Sequence, residues 1–96
     1  MLYDLDCRYD ARKSFYGKAK VEIKEDKKQK DYLLYSYGTL VASVAFIKNK
    51  NIICYEYFGR YSQTITRHQK EFFKQNGLSD KEIKELFNKG TLEIER

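Results

Sequence analysis

The chain has no proline, no tryptophan, a single histidine and only two cysteines among its 96 residues. Two isolated cysteines and one histidine do not supply the three or four closely spaced ligands that a zinc site needs, so no metal is expected. Asp4 and Asp6 share a strand face where Mg²⁺ could sit, but a DxD pair alone does not specify a metal site. No apolar run approaches the roughly 18–20 residues needed to span a bilayer, which argues against a transmembrane helix and a membrane role. The opening residues, Met1-Leu2-Tyr3-Asp4-Leu5-Asp6, carry acids where a secretion signal needs a basic start and an apolar run. The chain therefore reads as cytoplasmic, with Cys7 and Cys54 as buried thiols rather than a disulfide. No phosphate-cradling GxxxxGK[ST] or GxGxxG stretch occurs. His68 lies near Ser62 and Thr64, yet a serine–histidine nucleophile would need an orienting carboxylate and a glycine-rich elbow, and neither is present. Closely spaced acids such as Glu93 and Glu95 lie near the terminus, where a shifted pKa is hard to hold. The expectation is a non-enzymatic protein without a cofactor.

What the sequence does have is aromatic rings and locally concentrated charge. Nine tyrosines and six phenylalanines argue for a folded core rather than a disordered tail, and the length allows one domain, residues 1–96. The net charge of +5 is concentrated. Residues 11–30 carry Arg12, Lys13, Lys18, Lys20, Lys24, Lys27, Lys28 and Lys30 against Glu22, Glu25 and Asp26, and so account for the whole excess. Such a patch attracts phosphate or an acidic surface; equally, a lysine-rich hairpin protects a sheet edge from aggregation.

Alternation of apolar and polar residues marks the strands. Tyr3, Leu5, Cys7 and Tyr9 alternate with acids and Arg8, predicting a first strand with Cys7 inward. Phe15, Gly17, Ala19, Val21 and Ile23 form one face of a second, with Tyr16, Lys18, Lys20, Glu22 and Lys24 on the wet face. Residues 25–31 read as a hairpin loop. Tyr32 to Tyr37 is a third strand, ended by Gly38. Thr39 to Ile47 is apolar on both faces, which predicts a central strand covered on each side, and Ile52 to Phe58 is a fifth, with Cys54 inward. The period then changes. Ile65, His68, Phe72 and Phe73 form the stripe of a helix capped by Ser62 or Thr64 and ended by Gly77. Ser79 and Glu82 form a capping box for a second helix, with Ile83, Leu86 and Phe87 inward and Gly90 at its end. Residues 91–95 are a final strand or an extended tail. The predicted fold is α+β: about five mainly antiparallel strands with two C-terminal helices on one face.

The tyrosines have two readings. Tyr35 and Tyr37 share a face of one strand, and Tyr55 and Tyr57 share a face of another, with Tyr61 following. If those faces coincide and are exposed, they form a stacking platform for single-stranded bases, or a protein-contact face. Otherwise the rings pack under the helices with their hydroxyls at the rim.

The stretch Tyr61-Ser62-Gln63-Thr64-Ile65-Thr66-Arg67-His68-Gln69-Lys70-Glu71-Phe72, preceded by Tyr35-Ser36-Tyr37-Gly38-Thr39, resembles a family of short proteins found in phages and mobile elements of low-GC Gram-positive bacteria. Ser62, Thr64, Arg67, His68, Glu71 and Phe72 match its motif, while Ile65 stands where a second threonine is usual. The resemblance spans about residues 33–77, and the lysine- and tyrosine-rich, proline-free composition suits an AT-rich phage genome. Physically, Ser62, Thr64, Arg67 and His68, with Arg60 arriving at the sheet end, could bind an anion at a helix N-terminus or form a polar network fixing the helix against Tyr57 or Tyr61.

That family supplies no activity to carry over; the phage or mobile-element origin that the resemblance implies leads to the expectation of an accessory protein that docks on a host defence component, with a CRISPR–Cas nuclease or its guide RNA as the specific case: an anti-CRISPR. The alternative is a small RNA- or DNA-binding domain using the basic segment and the sheet tyrosines. A homodimer through an exposed strand edge is a third arrangement. Two contact surfaces remain open: the basic hairpin, and the Tyr/Arg/His end of the sheet.

Overall fold

The computed structural model describes residues 1–11, 14–59 and 62–95. Its elements run β1 (Leu2–Asp4), β2 (Ala19–Glu25), β3 (Gln29–Ser36), β4 (Thr39–Ile47), β5 (Ile52–Tyr57), α1 (Gln63–Gln75), α2 (Asp80–Lys89) and β6 (Thr91–Glu95). All six strands are antiparallel neighbours in the order β1-β2-β3-β4-β5-β6. Residues 91–95 are thus a sixth strand, one more than expected, paired to β5 with the two helices lying between them in the chain.

Both helices cover one sheet face. Val21, Leu34, Ala42, Val44, Ile53 and Tyr55 meet Phe72 and Phe73 of α1 and Ile83 and Leu86 of α2 in a single core. The helix ends follow their local chemistry. Ser62 accepts from the Ile65 N–H at the start of α1, and Leu78 N–H returns to Phe73 O, with Gly77 N–H to Lys74 O, at its end. Ser79 and Glu82 make the reciprocal capping box of α2. Gln69 fastens α1 to the sheet: its Nε2 donates to Val41 O at 3.0 Å and Gly59 O at 3.2 Å.

Four expectations need correction. The first strand ends at Asp4 rather than Tyr9, because the N–H groups of Arg8, Tyr9 and Asp10 turn away from the sheet to the Glu71 carboxylate. The second begins at Ala19 rather than Phe15, because Tyr16 and Gly17 adopt left-handed conformations. β4 is central, but the helices cover only one of its faces. Its register shifts opposite Leu34 and Tyr35, so that Val41 and Ala42 are both buried. That shift, and not a second layer, explains its apolar character at these two residues. Cys54 lies opposite Ala45 and Glu93 on the uncovered face, not inward. Both cysteines are half-buried, and the Cys54 thiol is pushed above its ordinary pKa by burial, then by Glu93 and Glu56.

The 25–31 loop is also tighter than expected. Strand pairing continues to Glu25 opposite Lys30, and Asp26 folds the tip by accepting from the Lys28 and Gln29 N–H groups, each at 2.8 Å. These two bonds hold the Asp26 carboxyl below its ordinary pKa of 3.8, and Lys48, bonded to Glu25, holds that carboxyl below 4.5. A depressed pKa contributes stability that is complete above the free values and is lost as the pH falls through the folded ones. Thermal unfolding of Asp26→Ala should therefore show a deficit at pH 7 that narrows by pH 3. A deficit independent of pH would contradict this.

Candidate functional site

One end of the molecule is built from two tyrosine–glycine turns. Phe15-Tyr16-Gly17-Lys18 is closed by Lys18 N–H to Phe15 O at 3.0 Å. Ser36-Tyr37-Gly38-Thr39 joins β3 to β4, with Ser36 opposite Thr39. In both, the tyrosine and the glycine have positive φ: 52° and 73° for Tyr16 and Gly17, 51° and 80° for Tyr37 and Gly38. Such turns match the twist of antiparallel strands, but they favour asparagine or glycine in the first central place. A side chain held there costs of order 1–3 kcal/mol. Tyr37 N–H donates to Lys18 O at 2.9 Å, so the two turns are joined directly.

The rings differ in exposure. Tyr16 is 78% exposed and Tyr37 55%. Tyr37 stacks at 5.9 Å on the imidazole of His68, which meets the edge of Phe15 at 4.4 Å. His68 itself is buried, with Nδ1 2.7 Å from Ser36 Oγ. The polar group at the helix–sheet boundary therefore supports the Tyr37 turn.

Between the turns and α1 lies a cleft of about 170 Å³, lined by Ser14, Tyr16, Lys18, Tyr37, Thr64 and Arg67 over a floor of Phe15 and His68. A second cleft, of about 390 Å³, shares Lys18 and Tyr37 and adds Lys20 and Tyr35. Among the described residues, no carboxylate lines either. On the other side of Arg67, Lys70 and Lys74 continue along α1 above Tyr9, Asp10 and Glu71. Lys74 is paired with Asp80, whereas Lys18, Arg67 and Lys70 form no ion pair among the described residues.

The four-tyrosine platform does not form. Tyr35 lies on the uncovered face, its hydroxyl 3.3 Å from Glu22. Tyr55 and Tyr57 lie under the helices, Tyr55 bonded through its hydroxyl to Asn76 O and Tyr57 stacked on Phe87 at 4.3 Å. The pairs split because β3 and β5 flank β4, so the register places Tyr35 opposite Lys20 and Leu40 but Tyr55 opposite Val44. The basic segment disperses too. Lys20 pairs with Asp4 at 2.8 Å. Lys24 stands 3.9 Å from Glu22 and opposite Asp31. Lys30 lies over the Tyr32 ring. Lys27 and Lys28 are exposed at the hairpin tip, and Lys18 joins the cleft at the far end of β2. Arg12, Lys13, Arg60 and Tyr61 lie outside the described residues.

Four contributors escape a reading by segment. Tyr16 is marked only by the repeat of the Tyr-Gly pair. Lys70 and Lys74 are marked by their spacing of three and seven from Arg67, which puts them along one helix face. Glu71 is marked by sitting between His68 and Phe72 on the apolar stripe, where a charge needs a buried partner.

No curated protein and no solved structure matches this chain. A family model does, over residues 3–89, a span that includes both turns, the clefts and both helices. The chain belongs to that family, a family of unknown function, DUF8033.

Proposed function

We propose that this is a non-enzymatic binding protein of the bacterial cytoplasm that docks on a host defence complex, with a CRISPR–Cas nuclease as the specific partner to test, and that its contact surface is the Arg67 end. The observation that carries the choice of surface is the division of labour within the Ser62–Phe72 motif. Ser62 caps α1, while His68, Glu71 and Phe72 are buried and hold the helix in place. Arg67 is solvent-exposed and free of ion pairs among the described residues, which leaves it for a partner. The nearest pair of chemically active groups, Ser36 and His68, is buried and stacked over by Tyr37, which supports binding over catalysis. The partner's identity rests on the mobile-element origin that the motif resemblance implies.

The test is co-purification of the tagged protein with reconstituted CRISPR–Cas complexes, beside Arg67→Ala. Capture by the native protein and loss with Arg67→Ala is the expected outcome; no capture of any complex contradicts the reading. A second reading, a nucleic-acid-binding domain working through the basic hairpin, is favoured by one observation, the exposed Lys27 and Lys28 at its tip. It requires Lys27→Ala/Lys28→Ala to weaken binding more than Arg67→Ala does.

A further inference from the structure

We infer that the groove around the two Tyr-Gly turns binds single-stranded nucleic acid, with bases stacking on both Tyr16 and Tyr37 and the phosphates held by Lys18 and Arg67. The inference names the ligand class of the surface proposed above and rests on that surface being the contact.

Tyrosine is disfavoured at each left-handed position, yet it occupies both, and both rings line the same cleft. A turn needs only its backbone conformation, which asparagine would supply at lower cost. What tyrosine adds is an exposed flat face. Tyr16 contributes little to the core, at 78% exposure, so its ring is available. Tyr37 is braced from behind by His68 and Phe15, which fixes its orientation before any ligand arrives and lowers the entropic cost of stacking.

The cations fall between the rings. Lys18 lines both clefts, with Arg67 beyond Tyr16 and Tyr37 on one side, and Lys20 beside Tyr35 on the other. Aromatic faces interleaved with cations suit a chain of bases and phosphates: no carboxylate lines either cleft among the described residues, and although Asp4 pairs with Lys20, Lys18 and Arg67 form no ion pair there. An acidic peptide would use the cations and leave the rings idle. The first cleft, at about 170 Å³, is smaller than the roughly 300–1,000 Å³ of a pocket that encloses a free small molecule, and the second, at about 390 Å³, shares Lys18 and Tyr37 with it, so the two fit successive units of one longer chain.

The experiment is fluorescence anisotropy of the full chain with a labelled single-stranded oligothymidylate of about a dozen nucleotides, across a salt series. The two phosphate-holding cations, Lys18 and Arg67, should give a log–log slope of about −1.4, and Arg67→Gln should reduce its magnitude by about 0.7. Tyr16→Asn should weaken binding on the order of tenfold while leaving the melting temperature unchanged or raised, since Asn-Gly is the favoured pair for this turn. Melting curves thus separate lost binding from lost folding. Wild-type affinity in Tyr16→Asn, a slope near zero, or preference for a labelled hexaglutamate peptide would each overturn the inference. Failure with oligothymidylate alongside capture of a defence complex would overturn the ligand class and leave the docking reading standing; the reverse outcome would do the opposite.

Discussion

Replacing Glu71 with alanine is expected to lower the unfolding free energy by about 3–4 kcal/mol, a large share of the stability of a domain this size. The carboxylate is almost fully buried. Its Oε1 accepts three consecutive backbone N–H groups, from Arg8 at 3.0 Å, Tyr9 at 2.7 Å and Asp10 at 2.9 Å. Its Oε2 accepts from Gln75, whose Nε2 also donates to Asp6 O. One side chain on α1 therefore fixes the path of residues 6–10. Hydrogen bonds to a charged group are worth about 1.5–3 kcal/mol each. Water can reach part of this site and recovers some of the loss, which keeps the total below the sum. Glu71→Gln keeps one carbonyl acceptor but turns an NH₂ toward the Gln75 donor, so its loss should be about half. Urea denaturation measures both; a Glu71→Ala midpoint equal to wild type would contradict the assignment.

The second large effect is on binding. Reversing two charges in Lys18→Glu/Arg67→Glu should weaken oligothymidylate binding on the order of a hundredfold, taking each charge-assisted contact at about 1.5 kcal/mol. The same reversal at the hairpin tip, Lys27→Glu/Lys28→Glu, changes net charge equally but should cost only a few-fold, through long-range attraction that is screened beyond about 8 Å at physiological salt. The comparison separates site from overall charge, because both variants have the same formal charge. Both pairs are exposed, so neither reversal should unfold the protein.

Much of the fold is legible in the sequence because periodicity and capping are local. The Ser79–Glu82 box, the Gly77 ending and the alternation in β2 each follow from neighbours a few residues apart. What is not legible depends on contacts distant in sequence. The first strand stops at Asp4 because Glu71, more than sixty residues away, captures the following N–H groups. The tyrosine faces diverge because of how β3 and β5 pair with β4, which no single strand reveals. Arg67 and Tyr37 emerge from the sequence as one end of the sheet, and the structure does bring them to one cleft. Lys18 appears there as part of a basic segment, yet it belongs to this end, because Tyr37 N–H is bonded to its carbonyl. Lys20 and Lys24 are locally balanced by Asp4, Glu22 and Asp31 on the same sheet face. A charge count along the chain cannot see that balance.

The most direct test of the contact surface is a map of backbone amide shifts in the ¹⁵N-labelled protein on titration with oligothymidylate. The expected result is that the largest changes fall together at residues 16–18, 37–38 and 64–67, the three segments lining the cleft, while the hairpin tip at 26–28 stays near its free positions. Changes centred on the hairpin tip, with the two Tyr-Gly turns unmoved, would contradict it.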